Sequence, residues 1–390
     1  MNVPKLRFKE FNDEIKEYEI SDILEIKNGL NKEKEEFGFG TPIINYMDVN
    51  KKELIFSKNI KGLVNANQRE LESFKVKKGD IFFTRTSETS DEIGLSASVM
   101  DDIDNCVYSG FILKASQKEN ILNPVFSGYY FRNPRMRNEI IKHSSITTRA
   151  LTSGTLLGQM KVFIPSYKEQ DKIGKTLYLL DKKIELQTKK IEDLKLFKLY
   201  TKNQIFKDYD EILKLKDILV KWNKKNKNNS VKYVESISNK YGFISQSDQF
   251  EDRNVASKDL SNYYIIEKEV FGYNPSRLNV GSLALKTTDK VSVVSPLYEC
   301  FTTSQNNQYL LEWFDSKYFR KETISKFEGG VRNTLNFSNL CEIKIGLPTI
   351  EKQNKYSRIF KTFNNKIEFE VKKLYKLQEL KKGLMKNMFV

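Results

Sequence analysis

One stretch of this chain occurs twice. Pro165 opens IPSYKEQ, and Pro348 opens LPTIEKQ 183 residues later. Held without a gap, the offset carries Gln170 onto Gln353, Ile184 onto Ile367, Leu194 onto Leu377 and Phe206 onto Phe389. Upstream it carries Phe131 and Arg137 onto Phe314 and Arg320, Arg149 onto Arg332, and Lys161 onto Lys344. Agreement over about forty ungapped residues marks a duplication. Farther upstream, Asp22-Ile23-Leu24 matches Asp217-Ile218-Leu219 at a different offset, so the repeats share a frame and diverge inside it. Whatever one copy folds into, the other must accommodate.

Each copy ends in a helical pattern. Ile173, Leu177, Leu180, Ile184, Ile191 and Leu194 alternate at spacings of four and three, with Gln187 in the missing slot. Tyr356, Phe360, Phe363, Ile367, Leu374 and Leu377 repeat the spacing, with Glu370 where Gln187 stood. Helices of about 40 residues span roughly 60 Å, and the nearest partner for each apolar stripe is the other. A pseudo-two-fold relation makes the pair antiparallel, with Gln187 and Glu370 near its middle. Two readings of that polar pair stay open: a buried device that sets register, or a solvated edge of the seam. Gly174-Lys175-Thr176 is the back half of a phosphate-binding loop, but Glu169 stands where the motif's first glycine belongs. The tripeptide reads as part of the helix.

The segments before each helix alternate short β-rich runs with turns, such as VKKGDIFFTRT and KVSVVSPLYECF, and each closes on a helical stretch. The expected fold is therefore α+β: two pseudo-symmetric globules separated by two long antiparallel helices that form a coiled coil. The expected boundaries are 1–164 for the first globule, 165–207 for its helix, 208–347 for the second globule and 348–390 for its helix. WNKKNKNNS, Trp222 to Ser230, reads as a mobile basic loop.

Lysine and arginine number 66 against 51 acidic residues, a net charge of +15. Such an excess is the electrostatic footprint of a nucleic-acid binder, although a lysine-rich helix surface produces it too. No apolar run is long enough to span a membrane, and MNVPKLRFKEF lacks a signal peptide's apolar stretch. Cys106, Cys300 and Cys341 form no CxxC pair, which points to a reducing compartment, the cytoplasm, without a zinc site. After the turn at Gly79-Asp80 come Arg85, Thr86 and Ser87; after Gly281-Ser282 come Lys286 and Thr287, with Arg277 just upstream. Short hydroxyls beside a base suit phosphate and base-edge contacts. Arg149 and Arg332, equivalent in the repeat, are candidate backbone anchors or structural ties near each helix start.

These residues resemble the specificity (S) subunit of Type I restriction–modification systems. The repeated boundary IPSYKEQDKIGKTLYLLD and LPTIEKQNKYSRIF is similar to that family's region where a Pro leads through Glu-Gln into a long helix. The opening VPKLRFKEF, the run GDIFFTRTSET with YSGF, and YNPSRLNVGS with VSPLY resemble its start and its target recognition domains. The second copy departs by carrying Lys352-Gln353 where the first has Glu169-Gln170. The resemblance implies a non-catalytic reader of double-stranded DNA, one half-site per globule. It implies helices that dock methyltransferase subunits, two of them, and motor-nuclease subunits. S-adenosylmethionine, ATP and Mg would then sit on those partners, with none in this chain and no catalytic residue or metal ligand.

The residues taken for the helix seam are Ile173, Leu177, Leu180, Ile184 and Gln187 on one side, and Phe360, Phe363, Ile367, Glu370 and Leu374 on the other. Two competing functions follow from the same residues. A coiled-coil structural protein would account for charge and repeat without DNA. A stand-alone metal-dependent nuclease would need Glu342-Ile343-Lys344 with Asp315, although Glu25-Ile26-Lys27 shows how readily ExK arises here by chance. His143 is the only histidine, which leaves little for a His-based triad or metal cluster.

Overall fold

The computed structural model describes residues 3–146, 148–239, 241–245, 259–323 and 334–390. The chain divides into two compact units: residues up to Thr188 with Lys372–Val390, and Lys189–Val371. Two long helices, Tyr167–Ile205 and Ile350–Asn387, each contribute to both units.

The first unit is built on a five-stranded sheet in the order Leu24–Asn28, Ile112–Gln117, Ile81–Thr84, Ser96–Val99, Leu54–Ile55. The second carries a four-stranded sheet in the order Leu219–Lys221, Glu299–Thr303, Phe271–Tyr273, Leu283–Leu285. Registers correspond. Leu24 lies opposite Gln117 as Leu219 lies opposite Thr303, and Phe82 opposite Ala97 as Gly272 opposite Ala284. A lead-in strand pairs with the strand before each long helix, Lys16 opposite Ile164 and Glu211 opposite Leu347. Pairing thus preserves the repeat where side chains have diverged, because backbone hydrogen bonds are indifferent to side-chain identity. The strand equivalent to Ile81–Thr84 is Phe271–Tyr273, with Leu283–Leu285 one place farther along the sheet.

The long helices run antiparallel within each unit. In the first, Lys381 bridges to Asp181 at 2.7 Å; in the second, Phe197 meets Phe363 edge-on at 5.4 Å and Lys198 bonds Asn364 at 2.8 Å. Ile173, Leu177, Leu180 and Phe360 are buried, and Ile184, Phe363, Ile367 and Leu374 half-buried. Gln187 and Glu370 are both buried, and Glu370 takes an ion pair from Lys190 at 2.5 Å. Burial removes the solvated-edge reading. Each helix ends on the other repeat's globule: Phe389 packs on Phe126 at 5.6 Å, and Phe206 on Tyr309 at 5.4 Å. These are the same two positions, 183 residues apart.

The Gly-Lys-Thr tripeptide lies inside the first long helix. A Cβ on Gly174 would sit 2.8 Å from Phe126 N, so the glycine serves a close approach to the globule's helix Pro124–Tyr130. Glu169 is 1% exposed and holds Arg7 through two hydrogen bonds, at 2.9 and 2.8 Å.

One expectation fails outright. The Trp222–Ser230 segment is pinned, not loose. Asn226 is fully buried and its side chain bonds the carbonyl of Val231 at 2.9 Å and accepts the Val231 N–H at 3.1 Å, while Trp222 Nε1 donates to Ile265 O at 2.7 Å. An Asn that closes a turn on its own backbone supplies the order that composition alone does not reveal.

Candidate nucleic-acid interface

In the first unit, Thr86–Ser87 forms a short strand against Ala150–Leu151, with Ser87 opposite Ala150. That pairing draws Arg85, Thr86, Ser87 and Arg149 into one place, although about sixty residues separate them in the chain. Arg149 is exposed, Arg85 and Thr86 are half-buried, and Ser87 is buried with its hydroxyl accepting the Thr89 N–H at 3.2 Å.

Beside this small sheet lies an open cleft of about 450 Å³, lined by Lys27, Asn28, Arg85, Thr152, Ser153 and Thr155 among others. Arg85 leans on the Gly110 carbonyl at 3.4 Å, a long contact. Lys27 is exposed and bridges Glu25 at 3.0 Å, a surface pair of small worth. Thr152 is fully buried, its backbone N–H bonded to Arg85 O at 3.0 Å, yet its hydroxyl has no partner. Two cations around a polar cleft suit an anionic ligand with hydrogen-bonding edges.

A cleft of the second unit, at Leu283–Leu285 and so at a different place on the sheet, is smaller, about 290 Å³, and is lined by Ser238, Asn239, Tyr241, Lys286, Thr287 and Thr288 with apolar neighbours. Thr287 is exposed, as expected of a contact residue. Lys286 is not. It is 1% exposed, and its ammonium is held by the Glu235 carboxylate, which also accepts the Ser292 hydroxyl at 2.5 Å. Burying a cation requires a counter-charge, so Lys286 is withdrawn from the DNA-contacting set. Arg277 is exposed on the turn Pro275–Val280 that continues the central strand, the place in the sheet that Arg85 holds in the other unit. Arg332 lies outside the described residues.

The clefts differ in chemistry as well as size. Lys27 and Arg85 charge the first; the second offers hydroxyls, an amide and the phenol of Tyr241 around a neutralised lysine. Asn28, Thr152, Ser238 and Tyr241 carry no signal of their own in the sequence, and Lys27 figures there only in a chance ExK. They come from segments far apart in the chain, and only the downstream neighbourhood of Arg149 hinted at Thr152.

Residues 12–196 match the family described as the Type I restriction modification DNA specificity domain. The chain is similar to Type I specificity subunits. A putative type I restriction enzyme MjaX specificity subunit of Methanocaldococcus jannaschii is 26% identical over 199 residues, 46% of this chain and 45% of that protein. The type I restriction enzyme EcoKI specificity subunit of Escherichia coli is 26% identical over 168 residues, 43% of this chain and 34% of its own. The chain thus spans less than half the length of either. The fold extends further: the Type I S subunit from M. genitalium aligns over 100% of this chain and 99% of its own at a TM-score of 0.56 and 15% identity.

The nuclease alternative finds less support in the site. Asp315 is 2.8 Å from the Lys202 ammonium and Glu342 is 2.5 Å from that of Lys214, so the acids of the ExK pattern are spent in ion pairs. His143 closes a helix, its Nδ1 2.9 Å from the Glu139 carbonyl. Among the described residues no group of His, Cys, Asp and Glu could hold a metal, and no helix is long and apolar enough to cross a membrane.

Proposed function

We propose that this chain is the DNA sequence-recognition subunit of a Type I restriction–modification complex. Each globule reads one half of a bipartite target, and the long helices dock the methyltransferase and motor-nuclease subunits. The globules, residues 1–164 and 208–347, are the target recognition domains, and 165–207 and 348–390 the spacer helices between them. S-adenosylmethionine, ATP and Mg belong to the partner subunits, and the chain itself only binds.

The carrying observation is one sheet topology, used twice, bearing two clefts that differ both in their place on the sheet and in their chemistry. A duplicated frame with divergent lining is what reading two different half-sites requires, since base identity is distinguished by donor and acceptor pattern. Arg85, Thr86, Arg149 and Lys27 contact DNA in the first domain, and Thr287, Arg277 and Tyr241 in the second. Continuous helices of 39 and 38 residues hold the gap between the half-sites constant.

Co-expression with the cognate methyltransferase subunit, followed by mapping of N6-methyladenine across the host genome, tests the reading. The expected result is a bipartite motif with a fixed gap, absent without this chain. A soluble complex that adds no methylation overturns it.

A further inference from the structure

Where each long helix ends on the other repeat's globule, the two junctions share a plan but not a chemistry. In the second unit, Lys202 near the end of the first long helix is 4% exposed, 3.0 Å from Glu312 Oε2 on the helix Asn307–Phe314. Advancing both residues to their repeat equivalents exchanges Lys202 for Met385, and Glu312 is the equivalent of Tyr129. In the first unit Met385 and Tyr129 accordingly lie together in one apolar cluster, buried. A neighbouring lysine is common to both junctions. Lys198 bonds Glu312 and Asn364, each at 2.8 Å, and its equivalent Lys381 bridges Asp181 at 2.7 Å and Glu53 at 2.8 Å. The common lysine and the common phenylalanine, Phe206 or Phe389, dock either helix end. Lys202 with Glu312 and Met385 with Tyr129 are the buried contrast between the two ends, flanked by Asp315 beside Lys202 and by Asp181 where the other unit has Asn364.

We infer that these four residues are a pairing code, which directs the end of each long helix to the globule of the other repeat and rejects its own. Consider the mismatched alternative, in which two copies of the chain pair like repeat with like. Lys202 would then enter the junction of Tyr129, whose acids Asp181 and Glu53 are already held by the common lysine, and Glu312 would face Met385 and keep one lysine in place of two. A buried charge stripped of its partner is strongly disfavoured, whereas the matched pairs satisfy charge with charge and apolar with apolar. The repeated helices otherwise share their docking lysine and phenylalanine. The code excludes a second copy of this chain as partner for the helix ends and keeps the pairing within one molecule.

The test uses the full chain. Lys202→Met with Met385→Lys exchanges the code on the helices alone, so both native junctions become mismatched and both like-with-like junctions become matched. Adding Tyr129→Glu and Glu312→Tyr moves the code on the globules as well and restores the Lys–Glu and Met–Tyr matches, with Asp315 left without Lys202 and Asp181 without the Tyr129 hydroxyl. Thermal melting and molar mass by light scattering are read after refolding from urea. The exchange variant is expected to melt about 5 °C or more below the unaltered chain and to yield a species of twice the single-chain mass; the fourfold variant returns to single-chain mass and recovers most of the melting temperature. If the exchange variant precipitates, recovery by the fourfold variant still supports the code. An exchange variant that melts and weighs as the unaltered chain does, or a fourfold variant no better than the exchange, overturns it.

Discussion

The side-chain oxygen of Gln170 accepts the backbone N–H of Asn123 at 2.8 Å. Its amide donates to Ile121 O at 3.0 Å and Pro165 O at 2.9 Å, and the residue is 1% exposed. Asn123 in turn caps the helix that meets the long helix, accepting the Val125 and Phe126 N–H groups at 3.0 and 3.1 Å. Gln353 does the same 183 residues on, accepting Asn306 N–H at 3.1 Å and donating to Pro348 O at 2.8 Å. This accounts for the persistence of Gln at the repeated boundary. Gln170→Ala would orphan one buried donor and two buried carbonyls, a loss of about 2–3 kcal/mol. Urea unfolding should show it, and Gln353→Ala should lose a similar amount.

The residue before that Gln reverses its charge, Glu169 in one copy and Lys352 in the other. The lead-in segment reverses with it. Glu169 takes Arg7, while Lys352 bridges Asp210 at 3.1 Å and Asp208 at 3.3 Å. The apparent departure from the boundary pattern is therefore a compensated exchange. Glu169→Lys should destabilise the chain by about 3 kcal/mol, because it sets a buried cation against Arg7. Adding Arg7→Glu should recover most of that in a double-mutant cycle. No recovery would mean that packing, not charge, makes the position sensitive.

Two glycines of the long helices should respond in opposite directions. A Cβ at Gly174 would meet Phe126 N at 2.8 Å, so Gly174→Ala should lower the melting temperature. Gly383 has nothing within 4 Å of its Cβ position, and Gly383→Ala should gain about 0.5–1 kcal/mol from helix propensity.

Glu312 and Glu53 impose an acid limit on stability. Burial alone would raise Glu312, but Lys202 and Lys198 outweigh it and hold the carboxyl below its ordinary value of 4.5. Burial likewise opposes Lys381 at Glu53, and the lysine prevails. A folded-state value below the unfolded one stabilises the fold above the ordinary carboxylate range and loses that contribution as pH falls through the lowered value. Urea midpoints measured between about pH 6 and pH 3 should therefore fall toward acid. The decline should be shallower in Glu312→Gln, and a parallel decline would sink the assignment.

Within the proposed function, Arg85→Ala should change or relax one half of the methylated motif and leave the other intact. Lys286→Ala should instead lower stability, by leaving Glu235 buried without its cation. A Lys286 variant that folds as well as the parent but loses DNA affinity would restore Lys286 to the interface.

The sequence by itself determined the duplication, the two long helices and the seam between them. Those features rest on local periodicity and on ungapped spacing, which survive without knowledge of any distant contact. Tertiary structure decided which polar side chains face a ligand and which are consumed inside. Lys286 follows a turn signal just as Arg85 does, yet its partner Glu235 lies 51 residues away. Lys202 looks like any helix-surface lysine until Glu312 and Asp315, more than a hundred residues on, are folded beneath it. The energy of a buried charge depends on what the rest of the chain brings to it, and for these side chains only the fold supplies that information.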